Sequence, residues 1–318
     1  MSASFVRRLG IASAFTLGLI ISLQTFGAGS ASGYSWKEIL VPSIGPLGSA
    51  FGINDKGQVA VSNLDNSITG IYRNGIFTRL PAPPAGYAVA ALGINNGGTV
   101  IGGAHSAADP SHEQGFILTG SAYRFFSRPG WDNTEARAIS QSALVTGYSY
   151  DDALTAFAGF IYDPRTGTFT DATPPGSGAG FSITQGMNAD GQISGDGRSS
   201  DVGRYAFVWQ QGTLVKGKRE LAPFLARVNI ADGPSAARGI NDAGYITGFA
   251  GSGGRTVGFV GLASRGFTLL VPPGGDAADA ITVCEGINNS RQVVCSVSDT
   301  LGNTRGFIGS PDSNDNEQ

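Results

Sequence analysis

Phe51-Gly52-Ile53-Asn54-Asp55-Lys56-Gly57-Gln58-Val59-Ala60-Val61 decides how this chain is read, because five further copies follow it without an internal gap. They run from Gly93 to Gly102, Ala138 to Gly147, Gly186 to Gly195, Gly239 to Gly248 and Gly286 to Cys295. The Asn54 position recurs at Asn95, Ser140, Asn188, Asn241 and Asn288, at intervals of 41 to 53 residues. That interval suits a four-stranded propeller blade and is too long for a leucine-rich or hexapeptide coil.

Each copy reads as a hairpin. Small and apolar residues such as Ala50 to Ile53 form a short strand, and the Asn that ends it can bond its side chain to backbone two residues on. A Gly three positions later accepts positive φ and closes a bulged type I turn. Gly57, Gly98, Gly191 and Gly244 fit; Ala143 and Arg291 stand there in the other two copies, where a left-handed backbone would cost roughly 1–2 kcal/mol unless the turn differs. A second strand and a variable polar loop follow. The third strand opens on a small residue and an apolar one, as in Gly70-Ile71-Tyr72 or Gly306-Phe307-Ile308, and a Gly-bearing turn leads to a fourth such as Phe77 to Pro81.

Four short antiparallel strands per unit, repeated six times without helical periodicity, predict an all-β fold, a six-bladed β-propeller. Its blades are expected near residues 46–84, 85–129, 130–175, 176–230, 231–273 and 274–310. The sixth unit stops after its third strand, whereas Tyr34 to Pro42 precedes the first unit as an orphan strand. The expectation is that this N-terminal strand (34–43) completes the last blade and closes the ring, so that the propeller fills 34–310 and leaves no open edge. The polar tail 311–318 is expected to be disordered. In the long fourth unit, Leu221 to Leu225 reads as a short turn or helix.

Composition agrees with this reading. Of 318 residues, 49 are Gly and only 14% are charged, which suits many tight turns and disfavours helices. The net charge of −3, with signs mixed along the chain, leaves no footprint for nucleic acid. Arg7 and Arg8, the apolar run Leu9 to Leu23 and small residues from Gly27 to Gly33 have the layout of a secretory signal over residues 1–31. The apolar run, roughly 15 residues, is short for a bilayer span. The mature chain is therefore expected to be exported, extracellular or periplasmic, with no stable membrane insertion.

Cys284 and Cys295 align with small positions on the first and second strands of the other hairpins. In an oxidising compartment they are expected to form a disulfide across that hairpin. A one-residue change of register would instead leave two thiols on opposite faces.

The Gly-Ile-Asn-Asp-x-Gly-x-Val-x-Gly hairpin, paired with a strand such as Tyr205-Ala206-Phe207-Val208-Trp209, resembles the extracellular repeat of the HAF family. The likeness covers nearly all of the mature chain. The His of that family's His-Ala-Phe triplet is absent from all six units. What the resemblance implies is a secreted or surface-associated bacterial repeat protein of propeller-like build.

In an up-and-down blade, the loops after strands one and three share one face with the Asn turns, and those after strands two and four share the other. The second set is variable and polar, and binding residues concentrate on loops held by a rigid scaffold. Trp131, Tyr148, Asp152, Asp196, Arg198, Arg204 and Arg255 are the candidate ligand-binding residues there. His105, Asp109, His112 and Glu113 could ligate a metal, but they share one loop with no helix to set their spacing, so no metal site is assigned. Asn188 to Gly191 lacks the ligand alternation of a calcium loop. Gly251 to Thr256 lacks the Lys and the helix of a phosphate loop. No nucleophile elbow occurs, so no catalytic residue and no cofactor is assigned. The function expected is a non-enzymatic envelope or extracellular binding protein whose partner is a glycan, a cell-surface polymer or a protein. The alternatives are a polysaccharide hydrolase or lyase, which requires carboxylates converging across the ring, and a purely structural envelope component.

Overall fold

The computed structural model describes residues 33–41, 45–46, 49–63, 68–174, 180–199, 203–210, 213–216 and 233–312. Residues 1–32, over most of which a secretory signal is expected, Leu221 to Leu225 and the chain beyond Asp312 lie outside them. Every regular element among the described residues is a β-strand. Six inner strands, Ser49–Ile53, Tyr87–Ile94, Asn133–Ile139, Ser182–Met187, Ser235–Ile240 and Ile281–Ile287, each pair antiparallel with the strand after their turn.

The turn explains why Asn recurs. Asn54 Oδ1 accepts from the backbone N–H of Lys56 and of Gln58, both at 3.0 Å. Its Nδ2 donates to the carbonyl of Asn95 in the next repeat at 2.9 Å. Asn95 passes the same bond to Ser140, Asn188 to Asn241, Asn241 to Asn288, and Asn288 to Asn54. Ser140 has no amide to hand on, and its Oγ accepts from Leu144 N–H instead. Ala143 and Arg291 take φ of 65° and 57° where the other repeats have left-handed Gly, so the turn does not differ in those two repeats.

Each inner strand also carries a register shift at one place: between Ala50 and Ile53, Ala91 and Gly93, Ala136 and Ala138, Thr184 and Gly186, Ala237 and Gly239, and Cys284 and Gly286. A bulge leaves its extra residue outside the ladder and re-aims the side chain. The residues so released are Phe51, Leu92, Arg137, Gln185, Arg238 and Glu285. The apolar core lies in the seams between neighbouring repeats. Ala60 of repeat one, for example, packs with Val89, Ala91 and Phe116 of repeat two.

Sheet grouping corrects the expectation of six separate blades. Repeats one to four form four separate four-stranded sheets, while repeats five and six share one eight-stranded sheet with Tyr34–Glu38. A single parallel bridge, Thr256 to Ile281, makes the join. Arg255 draws the connection that leads into Ile281 against its own strand, donating from Nη2 to the carbonyls of Gly275 and Ala277 at 2.8 and 3.1 Å. Tyr34–Glu38 pairs antiparallel with Thr304–Pro311, and Glu38 lies opposite Phe307. Pro311, placed by the sequence in a disordered tail, is the last residue of that strand and sits opposite Tyr34. The N-terminal strand ends sooner than expected, because Leu40–Val41 turns away to pair with Gly45–Pro46. The whole is an all-β propeller arrangement.

Candidate functional site

The six bulges converge. Phe51, Leu92, Arg137, Gln185, Arg238 and Glu285, together with the two residues after each, line a cavity of about 80 Å³ between the inner strands. Small residues let the strands come this close. A Cβ on Gly286 would fall 2.6 Å from the Phe51 carbonyl oxygen, and one on Gly239 would fall 3.1 Å from the Gly286 Cα.

Four of the six bulge side chains are polar, and three of them, Arg137, Arg238 and Glu285, join a buried network. Arg137 donates from Nη1 to Glu135 Oε1 at 3.0 Å and from Nη2 to Glu285 Oε2 at 2.9 Å, so one guanidinium ties repeat three to repeat six. Arg238 Nη1 lies 3.9 Å from the same Glu285 oxygen. Asp196 Oδ2 accepts from Arg204 Nε at 2.7 Å. Glu113 Oε2 accepts from the Tyr150 hydroxyl at 2.7 Å.

Burial sets the protonation of this network. It pushes the Glu113 carboxyl well above the usual carboxylate range, and the charge of Glu135 adds to the push. It raises the Tyr148 and Tyr150 hydroxyls as well. Burial also opposes the charge of Arg137, but the Glu285 and Glu135 carboxylates more than offset it. Arg238 is lowered, because burial outweighs Glu285. Three carboxylates, those of Glu135, Asp196 and Glu285, lie among three guanidiniums, those of Arg137, Arg204 and Arg238. Unbalanced charge at such depth would be strongly destabilising.

The opposite, variable face is built differently. At the seam of repeats two and three, His112 Nδ1 lies 2.8 Å from Asp109 and its Nε2 lies 3.2 Å from Asp152. The Asp109 hydrogen bond, aided by Asp152, raises the His112 pKa. Asn133 donates from Nδ2 to Asp152 Oδ1 at 3.1 Å and accepts from Glu113 N–H at 2.8 Å. Asp132 accepts from Asp152 N–H at 3.0 Å. Beside it the half-buried Trp131 ring carries the Arg128 guanidinium at 5.8 Å.

The candidates named from sequence therefore separate. Trp131 and Asp152 share the seam patch. Arg198 is exposed over Phe181 at 4.7 Å, and Arg204 sits between Phe181 and Phe249 at 6.0 and 5.5 Å. Arg255 is occupied with Gly275 and Ala277. Tyr148 and Asp196 are corrections, since both are fully buried. The segments read as loops are extended strand, Val145–Tyr150 and Gln192–Ser199, and both faces of these strands are covered, so that every residue of 145–150 and of 193–197 is buried. The same applies to His105 and Glu113, which lie in paired strands and are buried, whereas Asp109 and His112 stay exposed. Among the described residues no group of three His, Cys, Asp or Glu could hold a metal ion. Cys284 and Cys295 lie directly opposite and are bonded to each other.

The axial cluster was missed. Its signal is present in the sequence: the residue before the motif's Gly or Ala, on a strand otherwise made of small and apolar residues, reads Phe, Leu, Arg, Gln, Arg and Glu.

No protein-family model and no curated protein matches the chain. Solved structures similar to it include a streptogramin B lyase, 10% identical with a TM-score of 0.43, covering 86% of this chain and 97% of that one. TolB from Acinetobacter baumannii is 12% identical with a TM-score of 0.44; the match covers 89% of this chain and 65% of TolB. The β-propeller domain of the trilobed protease from Pyrococcus furiosus, described as having an open velcro topology, is 9% identical with a TM-score of 0.35, covering 79% and 84%. At these identities the likeness concerns fold alone. No helix among the described residues is long and apolar enough to cross a membrane.

Proposed function

We propose that this chain is an exported, six-bladed propeller of the HAF-repeat type that holds a glycan, a cell-surface polymer or a protein on its variable-loop face and catalyses nothing itself. Six blades are supported by the six bulged hairpins, with the eight-stranded sheet read as two blades sharing one bridge. Ring closure is supported by the Asn288 bond to Asn54 and by the pairing of Tyr34–Glu38 with the last strand. Export rests on the basic, apolar and small-residue layout of residues 1–31. Sequencing the N-terminus of protein recovered from the medium or periplasm tests it, and an uncleaved Met1 terminus would overturn it.

The observation that carries the binding role is the seam patch. The exposed Asp109 and Asp152 carboxylates about His112, with the half-buried Trp131 indole one residue from Asp132, set polar groups and an aromatic ring on one face. The axial carboxylates, by contrast, are engaged by arginines and buried. The mature chain on glycan and protein arrays should bind a ligand that the Trp131→Ala, Asp152→Ala double variant loses at least tenfold. An array without hits, or binding indifferent to that variant, sinks this role.

One observation favours a hydrolase as the second reading. Glu135 and Glu285 meet on the two Nη atoms of Arg137 and so converge as carboxylate-pair chemistry needs. Release of reducing sugar from a polysaccharide, abolished by Glu135→Gln in a protein that still folds, would put this reading first.

A further inference from the structure

Gln185 is the bulge residue of repeat four, lines the axial cavity and is only 3% exposed. Neither its Nε2 nor its Oε1 has a hydrogen-bond partner. Buried side-chain amides are nearly always paired, because an unmet donor or acceptor forfeits its hydration without return. A bulge that turns such a group into a cavity points to an occupant.

The walls define its chemistry. Gln185 presents a donor and an acceptor side by side. A carboxylate answers only the first and an ammonium only the second, whereas two adjacent hydroxyls answer both. The charges around the axis are already balanced among Glu135, Arg137, Arg238 and Glu285, so an ion would bring a net charge into a buried site. The wall of repeats one and two is apolar, formed by Phe51 and Leu92, and suits C–H groups. The volume, about 80 Å³, is roughly half that of a cavity known to take benzene, which limits the occupant to a few non-hydrogen atoms.

We propose that the axial cavity binds a vicinal diol, either a free three- or four-carbon polyol or the diol edge of a terminal sugar, with the Gln185 amide bonding the hydroxyls and Phe51 and Leu92 covering the carbon side. This site shares no residue with the seam patch, so either can fail without the other.

Saturation-transfer NMR and calorimetry on the full mature chain test it, with glycerol and erythritol as free polyols and methyl glycosides as sugar ends. Saturable binding is expected for at least one probe. Gln185→Leu should weaken it at least tenfold while leaving the thermal midpoint unchanged or higher, since it removes an unpaired amide and keeps the volume. Leu92→Trp, which fills the cavity from the apolar side, should weaken it as much. Binding by the polyols identifies a free ligand, and binding by glycosides alone identifies a glycan end, provided both variants abolish it. Absence of binding by every probe, or binding that survives either variant, overturns the assignment. A Gln185→Leu protein of clearly lower thermal midpoint would also overturn it, by showing that the amide is bonded within the protein.

Discussion

The two faces of this molecule solve the same problem in different ways. On the turn face five repeats are joined to the next by a buried neutral device, an Asn amide reaching a neighbour's carbonyl, flanked by exposed bonds to the Asp55 and Asp242 carboxylates. Toward the other face the inner strands meet through Glu135, Arg137, Arg238 and Glu285, each present once. A repeated neutral bond is individually modest and tolerates the loss of a member, as Ser140 shows. A buried charge network has no such tolerance, because removing one member strands another.

The sharpest way to break this contrast is Glu285→Gln, which leaves Arg137 and Arg238 with one carboxylate fewer. It should cost about 3–5 kcal/mol in urea unfolding. A loss of under about 1 kcal/mol would mean that the axis is no more demanding than a turn.

The disulfide ends one residue before that bulge and belongs to the same region. Replacing both Cys284 and Cys295 with Ser should lower stability by about 2–4 kcal/mol, and reductant should produce the same shift in the parent protein only. Equal stability of the two proteins under oxidising conditions would contradict this.

Glu113 sharpens the contrast through pH. A carboxyl whose folded pKa lies above its unfolded one holds its proton more tightly when folded. Stability therefore falls as pH rises from the ordinary value of 4.5 toward the raised one. The slope can reach about 1.4 kcal/mol per pH unit. Thermal midpoints between pH 5 and 8 should decline more steeply in the parent than in Glu113→Gln. His112, raised by Asp109, contributes in the same direction, but its exposure makes it the smaller part. Parallel pH profiles for the two proteins would exclude a protonated Glu113.

On the turn face the effects should be smaller and should run both ways. Asn241→Ser should cost about 1–2 kcal/mol, and Ser140→Asn, which restores the amide toward Asn188, should gain about 0.5–1.5 kcal/mol. If Ser140→Asn destabilises, the break in the amide ring is required rather than tolerated. The smallest effect expected is from Ala143→Gly, a gain of about 1 kcal/mol or less from relieving a left-handed Ala. Chemical unfolding resolves it, and a loss would mean that the Ala side chain is needed there.

These differences follow what could be read beforehand. The Asn turns, the left-handed Gly positions and the facing cysteines are local, spanning at most a hairpin, so residue type and spacing suffice to state them. The pairing of residues 34–38 with the last strand was legible because an orphan strand and a missing one matched. Tyr148 and Asp196 were misplaced because polar residues near a strand end read as loop, and only the packing of repeats on both sides of each inner strand pair shows that neither face there is exposed. The join of repeats five and six depended on how Arg255 holds a distant connection, which no periodic signal records.

Residue type and spacing are enough to establish an all-β chain built from repeated bulged hairpins, because Gly, Asn and alternating apolar residues act on backbone within a few positions. That Phe51, Leu92, Arg137, Gln185, Arg238 and Glu285 face one another follows from the assembled fold alone. Residues 41 to 53 positions apart share a cavity only once inner strands stand side by side. Their charges have no meaning singly; each depends on what the other repeats bring to the same axis.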